Sequence, residues 1–275
     1  MLILPGRSAK GQRPSGPVLL NHESPRAQGL GVWVPDGLWD YVRNVGPVQR
    51  TAPSLIGLPT IGQARRFAEA SSNYIDFPHV PWLDTCAAAS FAFWQANAQA
   101  TAGRYGHRLA QQTVWVGNNS GFSIFEFNGS ADVLAFAFRN TGTESPTFSG
   151  FSGGPHRVVV TYAAGTLSIY RNGQLVGTST WATASLPSTS EYFSIGRGNG
   201  SSPAYYASVD LADICAWSRV LTPAEVWADY DPATRWDLYW HPSTRAYAWY
   251  LPVAGGSFNP AWAAGSNVIL GATPC

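Results

Sequence analysis

The chain has 275 residues, of which 45% are hydrophobic and only 12% are charged, and its net charge is +1 at pH 7. This charge balance excludes a general electrostatic attraction to nucleic acid or to a membrane surface. The length suits one large sandwich or two small domains. The 28 glycines and 20 prolines favour many turns over long helices.

The first 28 residues are rich in Pro, Gly and Arg and show no hydrophobic period, which predicts an extended N-terminal arm over residues 1–28. The opening run MLIL is too short for a secretion signal and has no basic residue ahead of it. No apolar stretch is long enough to span a bilayer. We therefore expect a protein that is made in a host cytoplasm and has no membrane or nucleic-acid partner.

From residue 29 onward, short apolar runs recur between turn signals, and several alternate polar and apolar residues as half-buried strands do. The runs cover residues 91–96, 112–117, 122–129, 133–142, 156–165, 166–180 and 191–196. This spacing predicts an all-β sandwich or closed barrel. The residues expected in its core are Trp94, Val114, Phe125, Phe136, Val159, Ile169, Ile195, Ile214 and Trp217. Asn172-Gly173 predicts a tight hairpin, because both residues tolerate a positive φ.

The stretch after residue 208 joins a strand to a short helix. Leu211, Ile214 and Trp217 are predicted to share one strand face, with a bulge near Ala212-Asp213. Thr222 is then the expected N-cap, followed by Pro and, at the third helical position, a Glu that completes a capping box. Asp231-Pro232 is expected to end the helix.

Two long segments resemble the laminin-G-like, concanavalin A-like domain most specifically. They read HRVVVTYAAGTLSIYRNGQLVGTST and EYFSIGRG…VDLADICAWSRVLTPAEV, and RRFAEASSNYIDFP and SFAFWQA add weaker similarity. The resemblance implies a two-sheet antiparallel jelly-roll sandwich over residues 29–232, with the capped helix closing one edge. Ala207-Ser208 departs from that family, which often has a glycine before this strand.

The two ends resemble bacteriophage-encoded versions of the same domain. SPRAQGLGVWVPDG at the front and RWDLYWHPSTRAYAW after the helix carry this similarity. It implies a virion component.

Catalytic constellations are absent from the sequence. A glycosidase needs two carboxylates on either side of the bond that it cleaves. No two glutamates lie within ten residues of each other, there is no G-x-S-x-G motif, and the five histidines are scattered singly. We therefore predict no catalytic residue, no metal site and no cofactor. Asp132 and Asp210 are candidate calcium ligands, but neither lies in an acidic cluster, so a turn-capping or solvated role is favoured.

Two loops combine amide, guanidinium and aromatic groups of the kind that bind sugars. The candidate carbohydrate-binding residues are Asn118, Asn119, Arg197, Asn199, Tyr205 and Tyr206. Asn in such loops also serves simply to form turns.

The segment 233–275 is an aromatic-rich C-terminal tail, and aromatic and Arg residues dominate interface cores. The alternative is that the tail packs over its own sandwich. The candidate partner-binding residues are Arg7, Arg13, Trp236, Tyr239, Trp240, Tyr247 and Trp249.

The function predicted first is that of a non-enzymatic bacteriophage virion structural protein, such as a capsid decoration protein. It would be located in the virion. Its expected partners are other virion subunits, chiefly the major capsid protein, a second copy of the chain, and a surface glycan. The alternative is a carbohydrate-binding module for receptor or surface adhesion, and a glycan-acting enzyme ranks third.

Overall fold

A computed structural model describes residues 18–100, 105–112, 121–127, 130–138, 146–180, 185–198 and 206–239. Within these ranges the chain forms two antiparallel sheets packed face to face, with a single α-helix. The predicted two-sheet sandwich is therefore confirmed. Val114 lies outside the described residues; the other residues predicted in the core are buried.

The strands follow one another closely along the chain. In order they are β1 (Leu30–Val34), β2 (Gln49–Thr51), β3 (Ser54–Leu58), β4 (Gly62–Phe67), β5 (Tyr74–Phe77), β6 (Ala88–Ala96), β7 (His107–Gln112), β8 (Gly121–Phe127), β9 (Ser130–Phe138), β10 (Thr147–Phe148), β11 (His156–Ala163), β12 (Thr166–Arg171), β13 (Gln174–Thr180), β14 (Phe193–Ile195) and β15 (Val209–Trp217). Helix α1 (Pro223–Tyr230) comes last, and short 3-10 turns occupy Pro25–Ala27, Glu69–Ser71 and Pro81–Leu83.

The chain crosses repeatedly between the two sheets, while β3–β4, β7–β10 and β11–β13 each pair with their neighbours in sequence within one sheet. Among the described residues, the eight-stranded sheet has the order β13-β12-β11-β6-β15-β4-β3, with β1 also paired to β15. The seven-stranded sheet has the order β10-β9-β8-β7-β14-β5-β2. The main core lies between them, where Phe91 and Phe93 of β6 face Phe122 of β8 and Phe193 of β14.

The predicted bulge in β15 is present at Asp213, whose φ is +46° and where the register with β6 shifts. The extra residue exchanges the two faces of the strand. Leu211, Ile214 and Ala216 therefore face the main core, whereas Cys215 and Trp217 face outward. The expectation that Trp217 shares a face with Leu211 and Ile214 is wrong for this reason.

A second apolar cluster covers the outer face of the eight-stranded sheet. Trp33, Trp94 and Trp217 project from the sheet, and α1 and the chain's described ends pack over them. Trp236 and Tyr239, which the sequence analysis assigns to partner binding, are only 8% and 5% exposed. They belong to this chain's own core, because three indoles on an outer face need an apolar cover.

The hairpin and the helix cap form as the sequence predicts. Asn172 and Gly173 both have positive φ, at 53° and 78°. The Thr222 hydroxyl accepts a hydrogen bond from the Glu225 amide at 3.3 Å, and the Glu225 carboxylate accepts one from the Thr222 amide at 2.9 Å. Arg219 donates two further hydrogen bonds to Glu225, at 2.6 and 2.9 Å.

A buried ion cluster fastens the outer layer to the sheet. Arg157 of β11 donates through Nε and Nη2 to Asp229 of α1, at 2.6 and 3.0 Å. Arg26 pairs with the same carboxylate and also donates to the carbonyls of Thr234 and Arg235, at 2.9 and 2.8 Å. Burial raises the pKa of Asp229, but the two guanidinium charges lower it by more, so the carboxyl stays ionised.

Asp213 extends this cluster to the chain's last described residue. Its carboxylate accepts from the indole of Trp33 at 3.0 Å and from the hydroxyl of Tyr239 at 3.2 Å. Its carbonyl accepts from Arg157 at 2.7 Å. The bulge thus places a strand residue where it can hold the described C-terminal segment.

Replacing Asp229 by Ala is expected to lower the free energy of unfolding by about 3–5 kcal/mol, because it removes the carboxylate that Arg157 and Arg26 share and leaves the two buried guanidinium groups with only the Asp213 carboxylate, 3.3 Å from Arg157. Urea unfolding followed by tryptophan fluorescence measures the change. Arg50→Ala, at an exposed position, is the control and should stay within about 0.5 kcal/mol of the wild type. Equal stability of Asp229→Ala and wild type would contradict a stabilising role for the cluster.

The contribution of the helix cap to the free energy of unfolding should depend on pH, because Glu225 titrates. The hydrogen bond from Arg219 is the main reason why the pKa of Glu225 falls to about 2. Because the pKa is depressed on folding, the stabilisation is present above the unfolded value of about 4.3 and is lost as the pH falls toward 2. The difference in unfolding free energy between wild type and Glu225→Gln should therefore be constant near neutral pH and shrink below about pH 5. A difference that does not change down to pH 2 would count against the cap.

Candidate functional site

Residues of β5 and β14 place polar groups side by side on the outer face of the seven-stranded sheet. Ile75 and Ile195 point into the main core, so the alternating residues Tyr74, Asp76 and Ser194 point outward. Ser194 is paired directly with Asp76 across the two strands. The Ser194 hydroxyl donates to Asp76 Oδ1 at 2.6 Å.

Arg197 lies over this pair and is held on two sides. Its Nε donates to Asp76 Oδ1 at 3.2 Å, its Nη2 pairs with Oδ2, and its guanidinium carbon lies 3.7 Å from the centre of the Tyr74 ring. Burial lowers the pKa of Arg197, but the hydrogen bond and charge of Asp76 raise it by more, so it stays charged. The guanidinium is thus a preorganised, planar donor group.

The chain around Gly196 brings Tyr206 to the same place. Gly196 has φ +83°, and a Cβ there would lie 2.2 Å from the Phe67 ring, so the turn needs glycine. Tyr206 returns to pair with Arg197 as an isolated bridge, and the Gly196 carbonyl accepts from the Ala207 amide at 2.8 Å. The Tyr74 and Tyr206 ring centres are 6.2 Å apart. We call Tyr74, Asp76, Arg197 and Tyr206 the outer-face site.

An aromatic strip continues from this site along β7 and β8. The ring centres of His107 and Phe125 are 5.3 Å apart, and those of Tyr105 and Phe125 are 5.5 Å apart. A Cβ on Gly198 would lie 2.8 Å from the His107 ring, so the segment after Arg197 approaches the strip closely. The Ser123 hydroxyl on the same face is buried and has no hydrogen-bond partner among the described residues.

The structure unites only part of the predicted carbohydrate site. Arg197 and Tyr206 come together, while Asn118, Asn119, Asn199 and Tyr205 lie outside the described residues, as do the predicted partner-binding residues Arg7, Arg13, Trp240, Tyr247 and Trp249. Sequence reasoning missed Tyr74, Asp76 and Ser194, because only strand pairing brings them beside Arg197. A period-two alternation in YIDF and FSI could have marked these side chains as outward-facing.

Three carboxylates that could take part in catalysis or bind calcium, those of Glu126, Asp132 and Asp210, are each engaged by donors. Glu126 is buried and lies 3.4 Å from Arg108. Asp132 accepts from Ser152 Oγ at 2.7 Å and from the Ser152 and Gly150 amides at 3.0 Å, and the Ser152 bond is the main reason why its pKa falls to about 2.

Asp210, the other calcium candidate, accepts from Arg66 at 2.8 and 3.0 Å and from Asn97 at 2.6 Å. The described part of the chain contains no group of three His, Cys, Asp or Glu side chains that could hold a metal ion. It also contains no helix with the length and hydrophobicity needed to cross a membrane.

Comparison with known proteins identifies a family. A laminin-G-type profile of the concanavalin A-like lectin/glucanases superfamily matches residues 69–227. No curated protein matches the sequence.

Solved structures resemble the chain in fold at low sequence identity. The binding domain of botulinum neurotoxin DC, in complex with SialylT, is 14% identical with a TM-score of 0.54, over 74% of this chain and 51% of that one. A structure of botulinum neurotoxin type C, whose cell entry depends upon interaction with two ganglioside molecules, is 15% identical with a TM-score of 0.55, over 74% and 51%. A mutant Trypanosoma rangeli sialidase displaying trans-sialidase activity is 14% identical with a TM-score of 0.53, over 78% and 34%. The match thus spans about half the length of the toxin chains, and the likeness establishes the fold alone.

Proposed function

Because the chain belongs to the concanavalin A-like lectin/glucanases superfamily, we propose that it is a non-enzymatic binding module whose ligand is a carbohydrate. The observation that carries the proposal is the outer-face site, where a guanidinium fixed by Asp76 lies over the Tyr74 ring and the Tyr206 ring lies beside that of Tyr74. Tyrosine offers an apolar ring face together with a hydroxyl, and arginine offers directed N–H donors. A sugar ring presents the matching apolar C–H face and hydroxyl rim.

The solved structures of similar fold support the same ligand class. Two come from a toxin described with SialylT or with gangliosides, and another from a sialidase. These ligands belong to those proteins, and the fold likeness makes a glycan the first ligand class to test for this chain.

Binding without hydrolysis is supported by the state of the nearby carboxylates. Hydrolysis of a glycosidic bond uses one protonated and one ionised carboxyl group, about 5–10 Å apart. Asp76 and Glu126 are each paired with an arginine. Both carboxylates are therefore engaged by fixed donors of this chain, which favours a binding role over a catalytic one.

Substituting Tyr206 by Ala is expected to reduce glycan binding by about tenfold or more, because truncating a central aromatic contact typically costs over 1 kcal/mol. A glycan array screened with the full chain identifies the ligand, and isothermal titration calorimetry measures its affinity. Trp227→Ala is the matched control: Trp227 is 47% exposed and lies on α1, over the other sheet. Unchanged affinity of the Tyr206→Ala variant would refute the outer-face site.

We further propose that this module is part of a bacteriophage virion, most simply as a decoration protein on the major capsid protein. The described ends of the chain support an attachment role. Leu20 pairs with Tyr239, and the Asn21 amide donates to the Leu238 carbonyl at 2.8 Å. The segments 1–17 and 240–275 therefore continue from neighbouring points, and they carry Arg7, Arg13, Trp240, Tyr247 and Trp249.

A variant lacking residues 1–17 and 240–275 is expected to keep its fold but to be lost from virions. The cut lies outside Arg26 and Tyr239, because both belong to the buried outer layer. Thermal unfolding checks the fold, and mass spectrometry of purified virions measures occupancy relative to full-length protein, with Trp227→Ala as control. Full occupancy of a folded truncated protein, or absence of the full chain from virions, would contradict the virion role.

A further inference from the structure

We propose a second saccharide site, separate from the outer-face site, in a cleft that takes a neutral sugar. The cleft has a volume of about 740 Å³, within the range of small-ligand pockets. One wall is the segment from Val18 to Glu23, and the other carries Trp39, Tyr41 and Asn44 from the loop after β1. We call it the Trp39 cleft.

The loop wall of the Trp39 cleft is held rigidly by Asp40. Its buried carboxylate accepts from the amides of Trp33, Val42 and Arg43, at 3.2, 3.0 and 3.2 Å. Arg43 pairs with the same carboxylate and donates to the Pro78 carbonyl at 2.7 Å. This network fixes the loop before any ligand binds, which lowers the entropic cost of binding.

The opposite wall is fixed just as firmly. Asn21 donates from its amide nitrogen to the Leu238 carbonyl at 2.8 Å and from its side chain to the Asp237 carbonyl at 2.9 Å. Leu20 forms a β-bridge with Tyr239. Two preorganised walls therefore face each other across the cleft.

The side chains between the walls have unused hydrogen-bonding groups. The Trp39 indole, the Asn44 amide and the His22 imidazole make no hydrogen bond with any described residue, while Trp39 is 39% exposed. A Cβ on Gly46 would lie 3.0 Å from the Trp39 ring, so the ring rests against backbone at that position. Asn44 sits at φ +54° in the turn that Asp40 and Val45 close. A supported indole with adjacent amide and imidazole donors fits a sugar ring and its hydroxyls.

The charge of the lining selects among sugars. Among the described residues, the lining includes no lysine and no arginine. An acidic sugar is held most strongly by a charge-assisted hydrogen bond from such a cation, so the described lining favours a neutral sugar. The outer-face site, in contrast, contains Arg197, so the two sites should differ in ligand preference.

The inference extends the proposed carbohydrate-binding function, and the test reports on each site separately. The full chain is labelled with 5-fluorotryptophan, and the Trp39 resonance is assigned with the Trp39→Phe variant. Maltotriose, cellotriose and chitotriose are titrated, with sialyllactose as the acidic comparison. At least one neutral trisaccharide should shift the Trp39 resonance saturably, and Asn44→Ala should weaken that response by about tenfold. The Trp227 resonance, from an exposed indole outside the cleft, should stay in place.

A Trp39 resonance that no neutral trisaccharide shifts would overturn the inference, as would an equal shift at Trp227 or a stronger response to sialyllactose. The Tyr206→Ala variant separates the two sites. A Trp39 response that persists in that variant supports the cleft even if the outer-face site binds nothing. Binding that Tyr206→Ala abolishes, with Trp39 unmoved throughout, supports the outer-face site and overturns the cleft.

Discussion

The guanidinium of Arg157 is fully buried on the outer face of the eight-stranded sheet, and its charge must be balanced there. Asp229 supplies the counter-charge from α1, and Arg26 joins the same carboxylate from the N-terminal side. The N-terminal segment around Arg26 and the helix with the residues that follow it, far apart in sequence, are thereby ordered against one sheet. Because an unpaired buried charge is so unfavourable, the helix, the N-terminal segment and the residues after the helix can take up few other arrangements.

This outer layer also explains why the outer faces of the two sheets differ in composition. Helix α1 and the described chain ends cover the outer face of the eight-stranded sheet. They bury three tryptophans of the sheet together with their apolar neighbours. The seven-stranded sheet instead carries Asp76, Arg197 and a strip of aromatic rings on its outer face. The Trp39 cleft forms where the N-terminal segment meets the loop after β1, so it exists only because the outer layer is anchored.

Local patterns in the sequence predicted much of the fold. The Thr222–Glu225 capping box, the Asn172-Gly173 hairpin and the bulge at Asp213 depend on residues close in the chain, and all three are present. The predicted common face of Leu211, Ile214 and Trp217 fails at Trp217, because the alternation that resumes after the bulge turns Ile214 inward and Trp217 outward. Composition left open whether Trp236 and Tyr239 bind a partner or pack over the sandwich, because it does not reveal a long-range apolar cover; the structure buries both in that cover.

By itself, then, the sequence determined the all-β class, the Asn172-Gly173 hairpin, and the short helix with its cap. It also marked Arg197 and Tyr206 as candidate binding residues. Each of these depends on the spacing of residues close together in the chain. The tertiary structure alone decided that Tyr74, Asp76 and Ser194 lie beside Arg197, since β5 and β14 are separated by more than a hundred residues and meet only through sheet pairing. It likewise decided that Arg26 and Arg157 meet at Asp229, and that the two walls of the Trp39 cleft lie next to each other. Contacts of this kind follow from how whole layers pack, and no local pattern of residues encodes them.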